Sequence, residues 1–417
     1  MKFGYKDLRC GLIGKKLGHS FSPIIHNKLA DYPFALRELA PNELEDFANG
    51  NEFDAYCVTI PYKKDIMPFL DVIAPEALAI GAVNVVVRKD DGKLYGYNTD
   101  YFGFDYMVRR SGIDVSKKKA IVFGRGGASA TICTVLKDLG VSDLVTVDVE
   151  DNTPENIAKH ADAEIVVNTT PVGMFPHTGK APTSLSYFPE CKVVFDVVYN
   201  PARTALMIEA EERGITTVGG LSMLVAQAAK AFEHFTGDGY EDGIIESILS
   251  DITTDTTNLI LVGMPGCGKS SVGRIIAAEL GREFFDADIE FEKMHGITPA
   301  EAIKSLGEEK FRLMETETLC ELGRLSGKVI ATGGGAVTKE RNYAPLHQNG
   351  VIVFLERDLD QLPTDNRPLS QGRSLADLYR SRIDNYHRFA DVGVHSTGIK
   401  EKTAELIIEK FKNYFKG

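Results

Sequence analysis

The segment GMPGCGKSS, residues 263–271, has glycine, lysine and serine at the spacing of a phosphate-binding loop. It follows the apolar run NLILV and continues into SVGRIIAAELG, which gives the strand, loop and helix context that such a loop requires. Backbone N–H groups would surround phosphate oxygens, Lys269 would reach the β- and γ-phosphates, and Ser270 would hold Mg²⁺. The segment predicts a site for a nucleoside triphosphate and Mg²⁺, with a catalytic Lys269 and with nucleotide contacts from Gly263, Gly266, Cys267, Gly268 and Ser271. A glycine-rich turn that only precedes a helix is the plainer alternative.

Residues downstream of this loop could hold the group that receives the phosphate. Asp286 and Asp288 follow the next predicted strand, so one carboxylate would lie near Mg²⁺ and the other near an acceptor hydroxyl. A pair of solvated surface acids would give the same pattern. Three arginines follow in an acidic region, Arg312, Arg367 and Arg382. Guanidinium groups bind carboxylates and phosphates through paired hydrogen bonds, so these residues favour an anionic acceptor over surface ion pairs.

Polar residues at the ends of apolar runs in the first 100 positions could carry out acid–base chemistry. Lys63 follows VTIPY, Asn84 follows IGAV, and Asp100 follows YNT. Strand ends of an open α/β sheet meet at one edge, where ligands bind, although a solvated surface lysine is the plainer interpretation of Lys63 alone. Ser20 and Ser22, at a strand-to-helix junction, could bind a carboxylate or simply cap the helix.

A second glycine-rich turn, GRGGA, lies between the apolar run AIVF and the helical pattern SATICTVLKDLG. Such a turn lets the pyrophosphate of a dinucleotide approach the backbone, but a tight turn can need glycine for its conformation alone. Further polar segments follow at NTTPVGM, DVVYNPART and GGLSMLVAQ, which strengthens the interpretation as a dinucleotide site.

The elements that must position these residues alternate between strand and helix along the whole chain. This alternation predicts an α/β fold with mostly parallel sheets. Residues 241–257, which contain the Thr- and Asp-rich SDITTDTT, read as an interdomain linker with one or two helical turns. The predicted strands lie in RCGLIG, DAYCVTI, AIVFG, DLVTVDV, EIVVNTT, VVFDVVY, NLILVG, VIAT and VIVFLE.

Length and composition limit the class of protein. At roughly 150 residues per domain, a chain of 417 residues predicts two or three domains. A formal net charge of −12 argues against nucleic acid as a partner, because phosphate backbones require clustered basic residues. The six cysteines have no metal-ligand spacing and fit reduced thiols, and no apolar run is long enough to cross a membrane. We expect a cytoplasmic protein acting on small molecules; the sequence leaves its oligomeric state open.

Residues 258 to about 395 resemble shikimate kinase. The phosphate-binding loop is followed in order by D-A-D, F-R-L-M-E, G-G-G, R-P-L and an arginine shortly before a tyrosine. The resemblance implies that Asp288 orients or deprotonates the acceptor hydroxyl of shikimate, that Asp286 serves Mg²⁺, and that Arg367 lies on a lid over the phosphates. The remaining implied shikimate contacts are Arg312, Gly334, Gly335 and Arg382. The segments around R-P-L are shorter than in the family, which affects the adenine contacts and the lid.

Residues 9 to about 237 resemble shikimate dehydrogenase. The resemblance implies that Lys63 and Asp100 are the catalytic pair and that the positively charged Lys63 protonates the oxygen of a ketone as hydride is added. The implied contacts to shikimate or 3-dehydroshikimate are Ser20, Ser22, Thr59, Asn84, Asp100, Tyr199 and Gln227. The implied dinucleotide contacts are Gly124, Arg125, Gly126, Gly127, Ala128, Asp148, Asn168, Thr169, Gly220 and Met223.

The chain departs from the dehydrogenase pattern at two places. Cys57 stands where the family usually has asparagine. After the second Rossmann strand, NADP-using members carry an Asn-Arg-Thr cluster, whereas this chain has Asp148, Glu150 and Asp151. A carboxylate can accept a hydrogen bond from a free ribose 2′-OH but repels a 2′-phosphate. We therefore expect NAD to serve at least as well as NADP, unless Arg125 or another basic group compensates.

Together the two resemblances predict a bifunctional enzyme that reduces 3-dehydroshikimate with NAD(P)H and then phosphorylates shikimate with ATP. The alternatives are a dehydrogenase that prefers quinate and a non-enzymatic sensor or repressor built on the same folds. The implied architecture is a two-domain dehydrogenase unit followed by an α/β/α kinase domain. Its expected parts are a substrate domain at 1–104 with about 220–240, a Rossmann domain at 105–219, the linker at 241–257 and the kinase domain at 258–417.

Overall fold

The computed structural model describes residues 4–18, 20–362 and 374–415. Within these ranges the chain forms two compact units. The first comprises the described residues of Met1–Tyr199 together with Glu209–Leu249, and the second comprises Asn200–Ile208 together with the described residues of Ser250–Gly417. The alternation of strand and helix is confirmed as an α/β fold, with sheets whose apolar strands are covered by helices.

The first sheet of the first unit is mixed, with strand order β2-β1-β3-β5-β6-β4. Its strands are β1 (Cys10–Gly14), β2 (Phe34–Glu38), β3 (Ala55–Val58), β4 (Val72–Ile73), β5 (Val85–Arg88) and β6 (Leu94–Tyr97). Strand β1 pairs in parallel with β2 and β3, and β5 pairs in antiparallel fashion with β3 and β6. A core that includes Ile13, Tyr56 and Val86 lies on this sheet. The carboxyl ends of β1 and β3 therefore lie side by side, next to the start of β5.

Helices of the same unit carry the polar residues of the predicted site. They are α1 (Ser22–Leu29), α2 (Leu44–Asn49), α3 (Pro75–Ile80), α4 (Asp100–Arg110) and, later in the chain, α8 (Leu221–Thr236). Helices α4 and α8 pack closely because Gly103 has no side chain: a Cβ there would lie 2.7 Å from the carbonyl oxygen of Met223. This close packing brings Asp100, the first residue of α4, near the first turns of α8.

The second sheet of this unit is entirely parallel, with strand order β11-β10-β9-β7-β8. Its strands are β7 (Lys119–Phe123), β8 (Asp143–Val147), β9 (Ile165–Asn168), β10 (Val193–Asp196) and β11 (Thr216–Gly219). The helices between them are α5 (Gly127–Asp138), α6 (Pro154–Ile157) and α7 (Ala205–Glu212). The strand order reverses between β7 and β9, and ligands of doubly wound folds bind at such a reversal.

The segment expected to be a linker contains a longer helix than the sequence indicated. Helix α9 (Ile244–Thr256) has 13 residues, where one or two turns were expected. Ile245, Ile248 and Ile252 recur at helical spacing and are all buried. Burial of this apolar stripe outweighs the weak helix propensity of the threonines and aspartates around it.

The second unit has a parallel sheet of order β13-β14-β12-β15-β16. Its strands are β12 (Asn258–Val262), β13 (Phe284–Asp286), β14 (Val329–Ala331), β15 (Gly350–Glu356) and β16 (Val392–His395). The helices are α10 (Lys269–Leu280), α11 (Ala287–His295), α12 (Pro299–Leu306), α13 (Glu308–Arg324), α14 (Tyr343–His347), α15 (Leu375–Arg380), α16 (Ile383–Phe389) and α17 (Lys400–Tyr414). A small separate core of Phe291, Ala302 and Phe311 joins α11, α12 and α13.

The described residues also show the state of the cysteines and the character of the helices. All six cysteines are free thiols, as the sequence analysis expects. In the part of the chain that the structure covers, we find no helix with both the length and the apolar character needed to cross a membrane.

Candidate active sites

A buried carboxylate and a partly exposed ammonium group form the centre of the first site. Lys63 Nζ donates to Asp100 Oδ2 at 2.6 Å, and Asn84 Nδ2 donates to Asp100 Oδ1 at 2.9 Å. The Asn84 side chain is itself fixed, because its Oδ1 accepts from the backbone N–H of Thr99 at 2.7 Å. The Asp100 side chain is 1% exposed and that of Lys63 is 14% exposed. A buried ion pair adds little to stability, so this arrangement is better suited to holding a proton donor in place.

The predicted serines lie together with Tyr199. Ser20 Oγ lies 3.1 Å from Ser22 Oγ, and the backbone N–H of Ser22 donates to Ser20 Oγ at 3.2 Å. The hydroxyl of Tyr199 is hydrogen-bonded to Ser20, and burial raises the pKa of Tyr199 against the lowering effect of that bond. Thr59 directly follows β3, and its backbone N–H donates to the carbonyl oxygen of Ile13 at 2.9 Å. This group thus presents several neutral hydroxyls, the kind of group that binds a hydroxylated ring.

Gln227 has an unsatisfied polar atom. Its Oε1 is buried and has no hydrogen-bond partner among the described residues. The Gln227 Cβ lies 3.0 Å from where a Cβ on Gly103 would be, which places it against the helix that begins with Asp100. A buried acceptor without a donor costs about 1–3 kcal/mol, and a hydroxyl group of a bound ligand would remove that cost.

The glycine-rich turn of the second sheet has the shape that a dinucleotide requires. Gly124 has a φ of +109°, and a Cβ there would lie 2.6 Å from Thr169 Oγ1. A Cβ on Gly126 would have no protein atom within 4 Å, so the space beside it is open for a pyrophosphate. Gly127 begins α5 and is followed there by Ala128. A Cβ on Gly127 would lie 3.3 Å from the Cβ of Lys63, so the turn is adjacent to the proposed proton donor.

Four other predicted dinucleotide residues are found around the ends of β9 and β11. Asn168 is fully buried, and its amide donates to Asp196 Oδ1 at 3.0 Å, so its side chain organises the loop. Thr169 Oγ1 donates to the carbonyl oxygen of Phe123 at 2.6 Å. Gly220 packs against the backbone of the residue that follows β10. A Cβ on Gly220 would lie 2.1 Å from the Val197 carbonyl oxygen. Met223 is buried on α8.

The end of β8 is acidic, as the sequence indicated. Asp148 follows this strand directly, and its Oδ1 accepts from the backbone N–H of Val149 at 2.8 Å. The backbone N–H of Gly124 donates to the carbonyl oxygen of Val147 at 2.8 Å, which ties the glycine-rich turn to the same strand end. The guanidinium of Arg125 forms an ion pair with Asp151. The pairing of Arg125 was not evident from the sequence.

The phosphate-binding loop of the second unit is preorganised. Gly263, Gly266 and Gly268 have φ values of +149°, +83° and +109°, which side chains rarely adopt. Lys269 Nζ donates to the carbonyl oxygens of Gly263 and Met264 at 2.9 and 3.1 Å. Cys267 is buried beneath the loop, while Gly266, Gly268 and Ser271 line the cavity above it. These features fit the triphosphate site that the sequence predicts.

Two acids at the edge of β13 have different environments. Ser270 Oγ donates to Asp286 Oδ2 at 2.6 Å, and a hydroxyl next to a carboxylate is a donor set that suits Mg²⁺ together with water and phosphate oxygens. The described residues contain no cluster of three or more His, Cys, Asp or Glu that could hold a metal. Burial, and then the charge of Asp286, raises the pKa of Asp288, while Lys269 and Arg312 oppose the rise.

Arg312 and Arg382 lie against the triple-glycine segment, residues 333–335. Arg382 donates to the Gly334 carbonyl oxygen at 3.1 Å, and a Cβ on Gly335 would lie 2.2 Å from a guanidinium nitrogen of Arg312. Arg312 is 2% exposed, and its Nε has no partner among the described residues. Arg312 also donates to Glu315 Oε2 at 2.7 Å. Burial raises the pKa of Glu315, whereas Arg312 lowers it.

A cavity of about 590 Å³ joins these groups to the phosphate-binding loop. Its wall includes Asp286, Asp288, Arg312, Gly334, Gly335 and Arg382. Glu315 and Gly333 also line it, and the sequence analysis did not assign them as site residues. The spacing F-R-x-x-E puts Glu315 about one helical turn from Arg312, and this spacing could have indicated that Glu315 lies in the same site. Arg367 lies outside the described residues.

Comparison with known proteins places both sites in context. Residues 12–86 match the model of the shikimate dehydrogenase substrate binding domain, and residues 265–412 match that of shikimate kinase. A shikimate dehydrogenase (NADP(+)) from Clostridium perfringens strain SM101 is 38% identical over 268 residues, which cover 58% of this chain and 97% of that protein.

Solved structures give the same result for the first unit. Shikimate dehydrogenase 1 from Peptoclostridium difficile matches with 35% identity and a TM-score of 0.54, covering 58% of this chain and 96% of that one. Shikimate 5-dehydrogenase from Thermus thermophilus, solved with NADP(H) and shikimate, matches with 28% identity and a TM-score of 0.51, covering 58% and 99%. The chain therefore belongs to the shikimate dehydrogenase family and carries, in residues 265–412, a shikimate kinase domain.

Proposed function

We propose that the chain catalyses two consecutive reactions, the reduction of 3-dehydroshikimate to shikimate and the phosphorylation of shikimate to shikimate 3-phosphate. One observation carries the proposal: each unit combines a nucleotide-binding glycine turn with charged side chains suited to its own reaction. In the first unit these are Lys63 and Asp100, and in the second they are Asp288 and Arg312. The product of the first reaction is the substrate of the second.

In the first reaction, the bound nicotinamide would supply hydride to the ketone carbon. Lys63 would donate a proton to the oxygen on which negative charge develops. Asp100 keeps the ammonium group in position, since its two carboxylate oxygens are held by Lys63 and Asn84. The hydroxyls of Ser20 and Ser22 and the amide of Gln227 would orient the substrate.

In the second reaction, positioning and neutralisation of charge would do most of the work. Arg312 and Arg382 would hold the carboxylate of shikimate, and Asp288 would accept or orient the proton of the attacking hydroxyl. Lys269 would neutralise charge on the transferred phosphoryl group, with Ser270 and Asp286 holding Mg²⁺. The raised pKa of Asp288 supports this role, because a more basic carboxylate accepts a proton more readily.

The same substitution in each unit tests the proposal. We expect Lys63→Met to lower the turnover number for 3-dehydroshikimate reduction by about 10²–10⁴-fold and to leave phosphorylation of added shikimate unchanged. Lys269→Met should do the reverse, and urea denaturation of each variant reports that the substituted unit is folded. Shikimate and its 3-phosphate are quantified after incubation with 3-dehydroshikimate, NADH or NADPH, ATP and Mg²⁺. Wild-type protein that forms neither product, or a Lys63→Met variant that reduces normally, would refute the proposal.

Oxidation of shikimate and of quinate by the same preparation separates the proposed dehydrogenase from a quinate enzyme. We expect the larger kcat/KM with shikimate, because the adjacent hydroxyls of Ser20 and Ser22 suit a carboxylate on a flat sp² ring carbon better than the carboxylate of quinate, whose sp³ carbon also bears a hydroxyl. A larger kcat/KM with quinate would replace the proposed first substrate and leave the kinase reaction standing.

We also propose that this chain uses NAD at least as well as NADP. The curated relative named above is an NADP(+) enzyme, so this is a difference between similar proteins. The support is Asp148 at the end of β8, with Glu150 and Asp151 beside it. Comparison of kcat/KM for NADH and NADPH tests the proposal, and a strong preference for NADPH would contradict it.

A further inference from the structure

An ion pair joins the turn after β8 to the glycine-rich turn after β7. Arg125 lies in the glycine-rich turn between Gly124 and Gly126, and Asp151 closes the short turn that begins after Asp148. The two turns are held together independently, because the backbone N–H of Gly124 donates to the carbonyl oxygen of Val147 at 2.8 Å. The Arg125 side chain therefore extends from the pyrophosphate turn towards the end of β8.

This is the place where Rossmann domains distinguish the two dinucleotides. An acid at the end of the second strand hydrogen-bonds the free 2′-OH of NAD, and a nearby arginine accommodates the 2′-phosphate of NADP. The chain has both kinds of residue here, Asp148 and Arg125. Which dinucleotide is preferred thus depends on whether the guanidinium is available.

In this structure the Arg125 guanidinium is occupied by Asp151. Its carboxylate is paired with the Arg125 guanidinium, and the two side chains are 40% and 53% exposed. Glu150 is exposed on the same turn, so the three acids and one arginine leave two net negative charges at this edge. A 2′-phosphate would have to displace Asp151 from Arg125 and approach Asp148 and Glu150 at the same time.

We propose that Asp151 is a specificity-determining residue, which holds Arg125 away from a 2′-phosphate and so makes the site select NAD over NADP. The inference rests on the proposed dehydrogenase function and names the residue pair that sets its cofactor preference. It differs from the general effect of acidic charge, because it assigns the selection to one ion pair that can be removed.

Direct binding tests the pair without relying on turnover. NADH and NADPH are titrated into the full chain, and the dissociation constants are read from nicotinamide fluorescence, a signal that adenine nucleotides in the kinase site do not give. We expect wild-type protein to bind NADH more tightly. Asp151→Asn should lower the Kd for NADPH by about tenfold, the low end for a charge-assisted hydrogen bond, and change the Kd for NADH less than twofold.

Two further variants separate the ion pair from bulk charge. Glu150→Gln removes the same charge from the same turn without freeing Arg125, so we expect a gain for NADPH of less than about threefold, as for a screened surface charge. In Arg125→Gln/Asp151→Asn, the gain of Asp151→Asn should disappear. Urea denaturation of each variant reports that its first unit is folded.

Three binding results would overturn the inference. Tighter wild-type binding of NADPH removes its basis, an unchanged Kd in Asp151→Asn removes the role of Asp151, and a gain that persists in the double variant removes the role of Arg125. If the dinucleotides bind as expected but 3-dehydroshikimate is not reduced, the proposed function fails and the inference stands. If neither dinucleotide binds, both fail.

Discussion

At the scale of single residues, the sequence indicated where the charged groups of the first site lie, but not all of the side chains that hold them. The position of Lys63 after a strand predicted that it would lie at a sheet edge. That Asn84 would hold the second oxygen of Asp100, or that Asp151 would pair with Arg125, depends on tertiary contacts. Residue types at strand ends therefore predict the location of a site better than the hydrogen bonds within it.

His26 is a buried histidine outside the proposed chemistry. It is 1% exposed, stacks on Phe34 with a ring separation of 3.9 Å, and hydrogen-bonds through Nδ1 to the Tyr32 hydroxyl at 2.7 Å. Burial lowers the pKa of His26 to about 3, whereas in an unfolded chain a histidine has a pKa of about 6.5. Between these two pH values the unfolded state binds one more proton than the folded state at this residue.

We therefore predict that the His26 contribution to stability is complete above about pH 6.5 and is lost as the pH falls towards about 3, at about 1.4 kcal/mol per pH unit. His26→Gln should reduce the pH dependence of the free energy of unfolding of the first unit by that slope. Urea denaturation of the full chain between about pH 7 and pH 5 measures it. Tyr32→Phe is the matched control, since it removes the hydrogen bond but keeps the imidazole; equal slopes in wild type and His26→Gln would contradict the prediction.

Asp288 gives a prediction for the kinase reaction. Because burial is the largest cause of its raised pKa, the fraction of ionised Asp288 should increase with pH over a range above that of an ordinary aspartate, and the rate of phosphorylation should follow. In Asp288→Asn, we expect kcat to fall by about 10²-fold or more and the acidic limb of the profile to disappear. The pH dependence of kcat at saturating ATP and shikimate measures both effects. A normal acidic limb in Asp288→Asn would assign it to another group.

At the scale of elements, most of the buried strands could be predicted and most of the exposed ones could not, although β5 was not predicted despite being buried at three of its four positions. Apolar runs such as NLILV and VIVFLE became β12 and β15, both almost completely buried. Strand β2, with sequence FALRE, has four exposed residues out of five and pairs along one edge through its backbone. Strand β2 forms because it pairs with β1, and the sequence of β2 alone does not indicate this pairing. The same holds for β16, which has one buried residue.

The contact between α4 and α8 gives an element-scale prediction. In Gly103→Ala, the new methyl group would lie 2.7 Å from the Met223 carbonyl oxygen and would push the two helices apart. We expect a loss of about 1–3 kcal/mol in the stability of the first unit and a higher KM for 3-dehydroshikimate, since Asp100 and Gln227 lie on the separated helices. Steady-state kinetics and urea denaturation measure these effects.

Gly239→Ala is the control for this variant, because a Cβ there would meet no atom within 4 Å. Phosphorylation of shikimate should be unchanged in both variants. If Gly103→Ala left KM and stability as they are in Gly239→Ala, the helix contact would not position the substrate groups.

At the scale of the whole molecule, the fold class followed from the alternation of strands and helices, and the composition of the units did not. Residues 200–208 group with the second unit although they lie between two strands of the first. Ala202 N donates to Asn349 Oδ1 at 2.8 Å, a pairing across 147 positions of sequence. A contact between residues so far apart in sequence leaves no local pattern, so the sequence did not indicate that residues 200–208 group with the second unit.

Two compact units with separate nucleotide sites predict separate responses to ligands. NADH at about 100 times its Kd should stabilise the first unit by about 2.7 kcal/mol, and ATP with Mg²⁺ should do the same for the second. Scanning calorimetry of the full chain with each ligand measures the shifts. Lys269→Met should abolish the shift caused by ATP and keep the one caused by NADH; a single transition moved equally by both ligands would show that the units unfold together.

The Arg125–Asp151 pair of the first unit and the Arg312–Glu315 pair of the second differ in their exposure to water. Dissolved salt should therefore affect the dinucleotide site and the kinase site unequally. The Arg125–Asp151 pair is roughly half exposed, whereas Arg312 and Glu315 are 2% and 8% exposed. Charges in contact with solvent are screened over about 10 Å at 0.1 M ionic strength, and buried charges much less. The discrimination between dinucleotides should accordingly weaken as ionic strength rises, while the affinity of the kinase site for its carboxylate-bearing acceptor stays nearly constant. The balance between the two proposed reactions would then depend on ionic strength.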